Sequence, residues 1–280
     1  MRSTRVIVGV DGSPHSRLAL RWAADEAAHR GAALRIVHAY GPGGPDETTS
    51  LQVRAHGERA VAAAVDEVRH RTPDVPVTAV AVRAGAAATL LAAAGPDDLL
   101  VVGHRARSEL TALLAGSTCQ QVAMHATASV TIVRGRLEPD GPVVVGYDGS
   151  TAAPAVLDCA FAAAAARGCG LIVLRAFRPG SPAWPAEAPP PAVYNPRTTR
   201  LAIEKELDHV VEPMADKYPD VPVQHVVMDG DAAQALADAS RQARLVVVGT
   251  RGHGGFAGLL LGSVGLHLLH HADCPVLICR

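Results

Sequence analysis

Short apolar runs recur along the chain, separated by longer segments whose apolar residues have helical spacing. Such runs lack the alternation of half-exposed strands, so they indicate parallel strands that are covered on both faces. The first half contains five predicted strands, namely Arg5–Val10, Leu34–Ala39, Val75–Val82, Leu99–Gly103 and Val130–Arg134.

The segments between these runs predict helices. Ser13 is a suitable N-cap and Pro14 a suitable first helical residue, and Gly31 ends the helix after Arg30. The remaining predicted helices of this half are Glu47–His70, Ala86–Ala94 and Gly116–His125. Strict alternation of strands and helices predicts a parallel sheet with helices on both faces.

The second half repeats the first. VIVGVDGS at Val6–Ser13 returns as VVVGYDGS at Val143–Ser150, and LLVVG at 99–103 returns as LVVVG at 245–249. The repeating unit of about 140 residues is too long for a solenoid. The sequence therefore predicts two tandem doubly wound, Rossmann-like α/β domains, each with a five-stranded parallel sheet. Their predicted bounds are 1–134 and 143–280, joined by a polar, turn-rich linker at 135–142.

The second half also carries a proline-rich insert, Arg178–Pro196. Its composition predicts an extended flexible loop that acts either as a lid or as a spacer, and we favour the spacer.

A glycine-rich loop follows the fourth strand of the second half. Residues 245–263 give the order strand, glycine loop, helix start, with the spacing Gly249-x2-Gly252-x9-Gly262-Ser263. Glycines allow the backbone to approach an anion, and the first amides of a helix favour negative charge. The loop is neither a Walker loop nor a GxGxxG dinucleotide motif, because the residues that define those motifs are missing.

This spacing resembles the ATP-binding motif of the universal stress protein family, and the resemblance covers nearly the whole chain. It implies that the chain binds ATP, with or without magnesium, and acts in bacterial stress or dormancy responses. It also implies pairing through the fifth strands, either in a homodimer or between the two domains of one chain.

Asp11 and Asp148 occupy equivalent places just after the first strand of each half. A carboxylate would repel a triphosphate, so it suits the ribose or base end of a nucleotide. An Asp-Gly turn is the alternative role. The resemblance implies contact with adenosine and supplies the other site residues. In the second domain the implied contacts are Asp148, Ala176, Val248, Gly249, Gly252, Gly262, Ser263 and Val264; in the first they are Asp11, Ala39, Val102, Gly103, Gly116, Ser117 and Thr118.

The first domain departs from this motif at Ala106, which stands where the pattern has glycine, and the loop Arg107–Ala115 contains no glycine. A Cβ atom narrows the space for phosphate, and it adds strain if the position needs a positive φ. Arg105 and Arg107 could compensate by meeting phosphate with their side chains. We predict that the first site is the weaker one.

No catalytic set is recognisable in the sequence, which has neither a GxSxG elbow nor an HExxH motif. This favours a nucleotide-binding module over an efficient enzyme. The alternatives are a slow ATPase, a nucleotide-dependent transferase, or a regulator that binds AMP or a cyclic nucleotide. The histidines near the C-terminus, His267, His270 and His271, have metal-ligand spacing but also suit a solvent-facing helix end.

Composition excludes several other classes. The formal net charge is −1, which argues against a nucleic-acid surface. Charges interrupt the apolar stretches before they reach membrane-spanning length, and the N-terminus lacks a signal-peptide core, so we predict a cytoplasmic protein. The five cysteines form no CxxC pair, which favours buried, reduced thiols.

Overall fold

The computed structural model of the chain describes residues 5–41, 47–104, 118–137, 140–178, 195–250, 252 and 260–280. The chain separates into two compact units, Met1–Leu137 together with Arg280, and Glu138–Cys279. Each unit is described below by itself.

The first unit is a parallel sheet with strand order β3-β2-β1-β4-β5. Its elements are β1 (Arg5–Gly9), α1 (Pro14–Arg30), β2 (Ala33–Tyr40), α2 (Glu47–Arg71), β3 (Val77–Arg83), α3 (Ala86–Ala93), β4 (Leu99–Gly103), α4 (Thr118–His125) and β5 (Ser129–Val133). The direction of the strand order changes between β1 and β4, which is where ligands bind in doubly wound sheets.

The second unit repeats this order as β8-β7-β6-β9-β10, again with parallel pairs. Its elements are β6 (Val143–Gly146), α5 (Ala153–Arg167), β7 (Leu171–Phe177), α6 (Pro196–Lys217), β8 (Val223–Asp229), α7 (Ala232–Ala239), β9 (Leu245–Gly249), α8 (Ser263–His271) and β10 (Val276–Cys279). The predicted fold class, two doubly wound five-stranded units, is confirmed.

The ends of α1 follow from the residues that flank it. The Ser13 hydroxyl accepts a hydrogen bond from the Ser16 amide at 3.2 Å, and Pro14 opens the helix. Gly31 closes the helix with φ 60°, in the left-handed region that glycine adopts without strain. The predicted start and end of α1 are therefore both correct.

Several predicted boundaries differ from the structure, most of them by one residue. The third strand begins at Val77 rather than Val75, because the Val75 amide bonds to the Thr72 carbonyl in a turn. Pro196, predicted to end the insert, is the first residue of α6, which Asn195 caps through its side chain. The rest of the predicted insert, 179–194, lies outside the described residues.

Aliphatic side chains form the core of each unit. Ile7 and Leu100 in the first sheet and Val246 in the second are fully buried. All five cysteines are thiols, and three of them are buried. Among the helices that the structure describes, none combines the length and apolar character needed to cross a bilayer.

Candidate functional site

A cleft opens in the first unit where the carboxyl ends of β1, β2 and β4 meet. Its volume is about 110 Å³. The cleft brings together five of the residues predicted for this site, namely Asp11, Ala39, Val102, Gly103 and Thr118. The other two, Gly116 and Ser117, lie outside the described residues.

Helix α3 supplies a wall of this cleft that the sequence did not predict. Ala86 and Leu90 both line the cleft, and Leu90 packs over Gly9, where a Cβ atom would lie 2.9 Å from Leu90 Cδ1. Leu236 packs over Gly146 in the same way, at 2.8 Å, in the second unit. The signal in the sequence is the glycine near each strand end, which marks a close approach.

Backbone contacts also fix the opposite wall. A Cβ atom at Gly103 would lie 2.5 Å from the His15 carbonyl oxygen and 3.2 Å from the Ser16 amide nitrogen. The first turn of α1 therefore rests directly on the end of β4. This contact explains why His15 lines the cleft together with Gly103.

The loop between β1 and α1 holds Asp11 at the cleft. Its Oδ1 accepts a hydrogen bond from the Ser13 amide at 2.9 Å, and its own amide donates to Ser16 Oγ at 3.2 Å. Ser16 Oγ in turn donates to the Ser13 carbonyl at 3.0 Å. Asp11 is thus a turn residue, and a carboxylate has enough acceptor sites to serve a ligand as well.

Asp148 makes the equivalent turn in the second unit, where its Oδ1 accepts from the Ser150 amide at 2.9 Å. Gly252 lies against this carboxylate, because a Cβ atom at Gly252 would be 2.5 Å from Asp148 Oδ2. Gly252 does not have a positive φ. A Cβ atom at this position would displace the Asp148 carboxylate, which is a local reason for glycine beside the predicted space for phosphate.

Helix α8 begins with open amides close to the end of β9. Gly262 is the N-cap, with φ −68° and ψ 160°, and it has no side chain with which to cap the helix. Its own amide donates to the Thr250 carbonyl at 2.7 Å, so this amide is engaged with the residue that follows β9. The amides that lie beyond the helical hydrogen-bond ladder are those of Ser263, Val264 and Gly265.

The remaining predicted residues of the second unit lie at the same edge of its sheet. Val248 and Gly249 end β9, and Ala176 is near the end of β7. Both strands pair directly with β6, whose end leads to Asp148. The fold therefore gathers these residues at the switch in strand order.

A buried cation lies next to the Asp148 turn. Arg175 is 3% exposed, its guanidinium stacks over the Tyr147 ring at 5.5 Å, and Nη1 lies 3.7 Å from Glu206 Oε1. Burial, then the charges of Glu206 and Asp148, raise the pKa of Tyr147, and the charge of Arg175 acts against them. No sequence motif indicated this cluster.

The C-terminal histidines lie on α8. The rings of His267 and His271 stack with centroids 4.3 Å apart, and His271 is exposed. Within the described part of the chain, no three histidine, cysteine or acidic side chains are grouped so as to hold a metal ion.

Fold and site together define a tandem doubly wound α/β protein with a ligand-type cleft at the switch point of its first unit. The family model described as "Universal stress protein family" matches residues 3–134 and again 141–280. The chain belongs to the universal stress protein family, which confirms the resemblance seen in the sequence.

Its relatives span the same length. A universal stress protein of Mycobacterium tuberculosis strain H37Rv is 32% identical over 297 residues, covering 99% of this chain and 97% of that protein. One from Mycolicibacterium smegmatis is 32% identical over 299 residues, covering 98% and 96%. The crystal structure of a universal stress protein from Archaeoglobus fulgidus has a TM-score of 0.73 at 16% identity, covering 100% and 99%, and supports the fold.

Proposed function

We propose that each unit binds an adenine nucleotide at the switch point of its sheet, that ATP is the ligand, and that the protein is a nucleotide-dependent regulator in a stress response. The cleft in which Asp11, Ala39, Val102, Gly103 and Thr118 meet is the observation that carries this proposal. It supports the residue set that the family resemblance implies.

The lining of the cleft suits the adenosine part of a nucleotide. Val37, Leu90 and Ala39 offer an apolar wall for a base, and Asp11 offers acceptors for ribose hydroxyls or amino groups. In the second unit, the open amides at the start of α8 suit phosphate. Magnesium, if bound, would be held chiefly by the phosphates, as is usual for this ion.

The placement of the two carboxylates supports binding of ATP without efficient turnover. Asp11 and Asp148 are engaged in their turns at the end of the first strand. That end suits ribose, so neither carboxylate is placed to activate water at a terminal phosphate. A slow ATPase or a nucleotide-dependent transferase is the alternative.

Nucleotide released from the purified protein, identified by mass spectrometry, tests the ligand. Calorimetry on the full chain should then give tighter binding of ATP than of AMP or cyclic AMP. Asp11→Asn and Asp148→Asn keep the turn acceptor but remove the charge, and the double variant should weaken all three. If AMP or cyclic AMP binds more tightly than ATP, that nucleotide and not ATP is the ligand.

ATP turnover near the 10 per second typical of enzymes would contradict the binding-module assignment.

We further propose that the fifth strands, β5 and β10, mediate pairing, either within one chain or in a homodimer. Molar mass by light scattering distinguishes a monomer from a dimer. A cytoplasmic location is part of the same proposal.

Unequal sites are expected, with the second unit binding about tenfold more tightly. Gly252 lies against the Asp148 carboxylate, whereas Ala106 carries a Cβ at the matching position of the first half. Gly252→Ala should push the Asp148 carboxylate aside and lower the tighter of the two binding constants. Ala106→Gly should raise the weaker one. Two equal sites in the unaltered chain, measured by calorimetry, would contradict this expectation.

A further inference from the structure

A second cavity in the first unit lies between α1 and α2, on the other side of the β1–α1 loop from the nucleotide cleft. Its volume is about 130 Å³. We call it the helix cavity; its apolar walls are Val10, Leu20, Ala60 and Ala64. Val10, Leu20 and Ala64 are each at most 7% exposed, whereas Ala60 is half-buried, and the cavity opens to solvent beside the exposed Arg17.

The tandem repeat provides a direct comparison for this cavity. Val10 corresponds to Tyr147, because their amides donate to the equivalent carbonyls of Val37 and Leu174 at 2.9 Å. Ala60 corresponds to Glu206, because α2 and α6 end in matching turns, with Thr72 bonded to Val68 and Tyr218 bonded to Met214. Two wall positions therefore differ between the units. One carries the isopropyl group of Val10 in the first unit and the phenol ring of Tyr147 in the second, and the other carries the methyl group of Ala60 and the carboxylate of Glu206.

Equivalent glycines show how differently the two spaces are filled. Gly12 and Gly149 have similar conformations, with φ 78° and 72°. A Cβ atom at Gly149 would meet Arg175 Nη1 at 2.8 Å and Glu206 Oε1 at 2.9 Å, whereas one at Gly12 would meet nothing within 4 Å. The second unit fills this space with its own side chains, and the first unit leaves it open.

Charge at the rim indicates what the helix cavity accepts. Glu67 lies 2.6 Å from Arg21 and 3.5 Å from Arg17, so each of these cations at the rim already has a carboxylate partner. The Ser16 hydroxyl is already bonded to the Ser13 carbonyl and to the Asp11 amide. An ionic ligand would gain little here, and a neutral, largely apolar one would gain burial.

We infer that the helix cavity of the first unit binds a small neutral aromatic molecule of about the size of phenol. Its volume of about 130 Å³ approaches that of an enclosed engineered cavity of about 150 Å³ that takes up benzene, although the helix cavity is open on the side of Arg17 and Glu67. The second unit buries a phenol ring, that of Tyr147, at the corresponding wall. This inference does not depend on the proposed binding of nucleotide.

The test uses the full chain and phenol as the ligand, followed by NMR of assigned methyl groups. Saturable shifts are expected at Leu20 and Ala64, which line the helix cavity but not the nucleotide cleft, without matching shifts at Leu157 and Val210, their counterparts in the second unit. Shifts centred on Val37 and Leu90 would instead place phenol in the nucleotide cleft and overturn the inference, as would the absence of saturable shifts.

Filling the cavity provides the second arm. Ala60→Leu should weaken phenol binding roughly tenfold, since the added side chain takes the space of the ring. Ala62→Leu, at an exposed position of the same helix, should leave phenol binding unchanged. Equal affinity in Ala60→Leu and Ala62→Leu would overturn the inference. If Ala60→Leu unfolds, Val10→Tyr, which introduces the residue of the second unit, must give the same loss.

Discussion

Gly103→Ala is expected to destabilise the first unit by about 3 kcal/mol, because the new methyl group overlaps backbone that cannot move alone. The methyl carbon would lie 2.5 Å from the His15 carbonyl oxygen and 2.8 Å from its carbon. Relief requires α1 to shift from the end of β4, although Ala23 and Ala24 of this helix are fully buried. Nucleotide affinity of the first site should fall as well, since His15 and Gly103 share the wall of its cleft.

Chemical unfolding followed by tryptophan fluorescence measures this effect. The chain has two tryptophans, and Trp22 lies in α1, so a Trp184→Phe background reports on the first unit alone. Gly85→Ala is the matched control, because Gly85 has φ −69° and nothing within 4 Å of an added Cβ. Indistinguishable midpoints for Gly103→Ala and Gly85→Ala would refute the packing argument.

Much of the fold could be predicted because each element is encoded locally. Ser13, Pro14 and Gly31 set the ends of α1 through capping and backbone geometry, which depend on neighbours in sequence. Because the second half repeats the first, the same elements could be predicted there. The boundary at Val75 was wrong because a turn bond to Thr72 competed with the apolar pattern.

The site was less predictable because it depends on approach between distant elements. Leu90 over Gly9 and His15 on Gly103 are tertiary contacts, and the sequence shows only that glycines are present. Phosphate space or strain was the predicted reason for Gly252, and the structure adds the Asp148 carboxylate, which lies where a Cβ atom would be. A glycine in a sequence indicates close approach without identifying the partner.

The helix cavity could not be predicted from the sequence either. Val10 against Tyr147 and Ala60 against Glu206 are visible when the two halves are aligned. Only the packing of α1 against α2 shows that these positions face one space. The aliphatic pattern of the two helices is the same with or without a cavity between them. Differences between repeats thus become informative only once their positions in the fold are known.

Gly262→Val is expected to weaken nucleotide binding at the second site roughly 100-fold, because two charge-assisted hydrogen bonds to phosphate would be blocked. A side chain at an N-cap lies over the amides of the first helical turn, which is why polar residues there can cap them. The amides concerned are those of Ser263, Val264 and Gly265. A valine side chain would cover them without offering an acceptor.

The variant should fold, and this makes the measurement interpretable. Gly262 has φ −68° and ψ 160°, a conformation open to valine, and its amide can still donate to Thr250. Gly85→Val is the matched control, since Gly85 is also an N-cap glycine without a side-chain cap and has a similar backbone conformation. Calorimetry with ATP on the full chain should show the tighter binding event lost in Gly262→Val and kept in Gly85→Val. If adenosine, which has no phosphate, loses affinity as strongly as ATP does, the valine acts on the shape of the site, and the start of α8 is not the phosphate end.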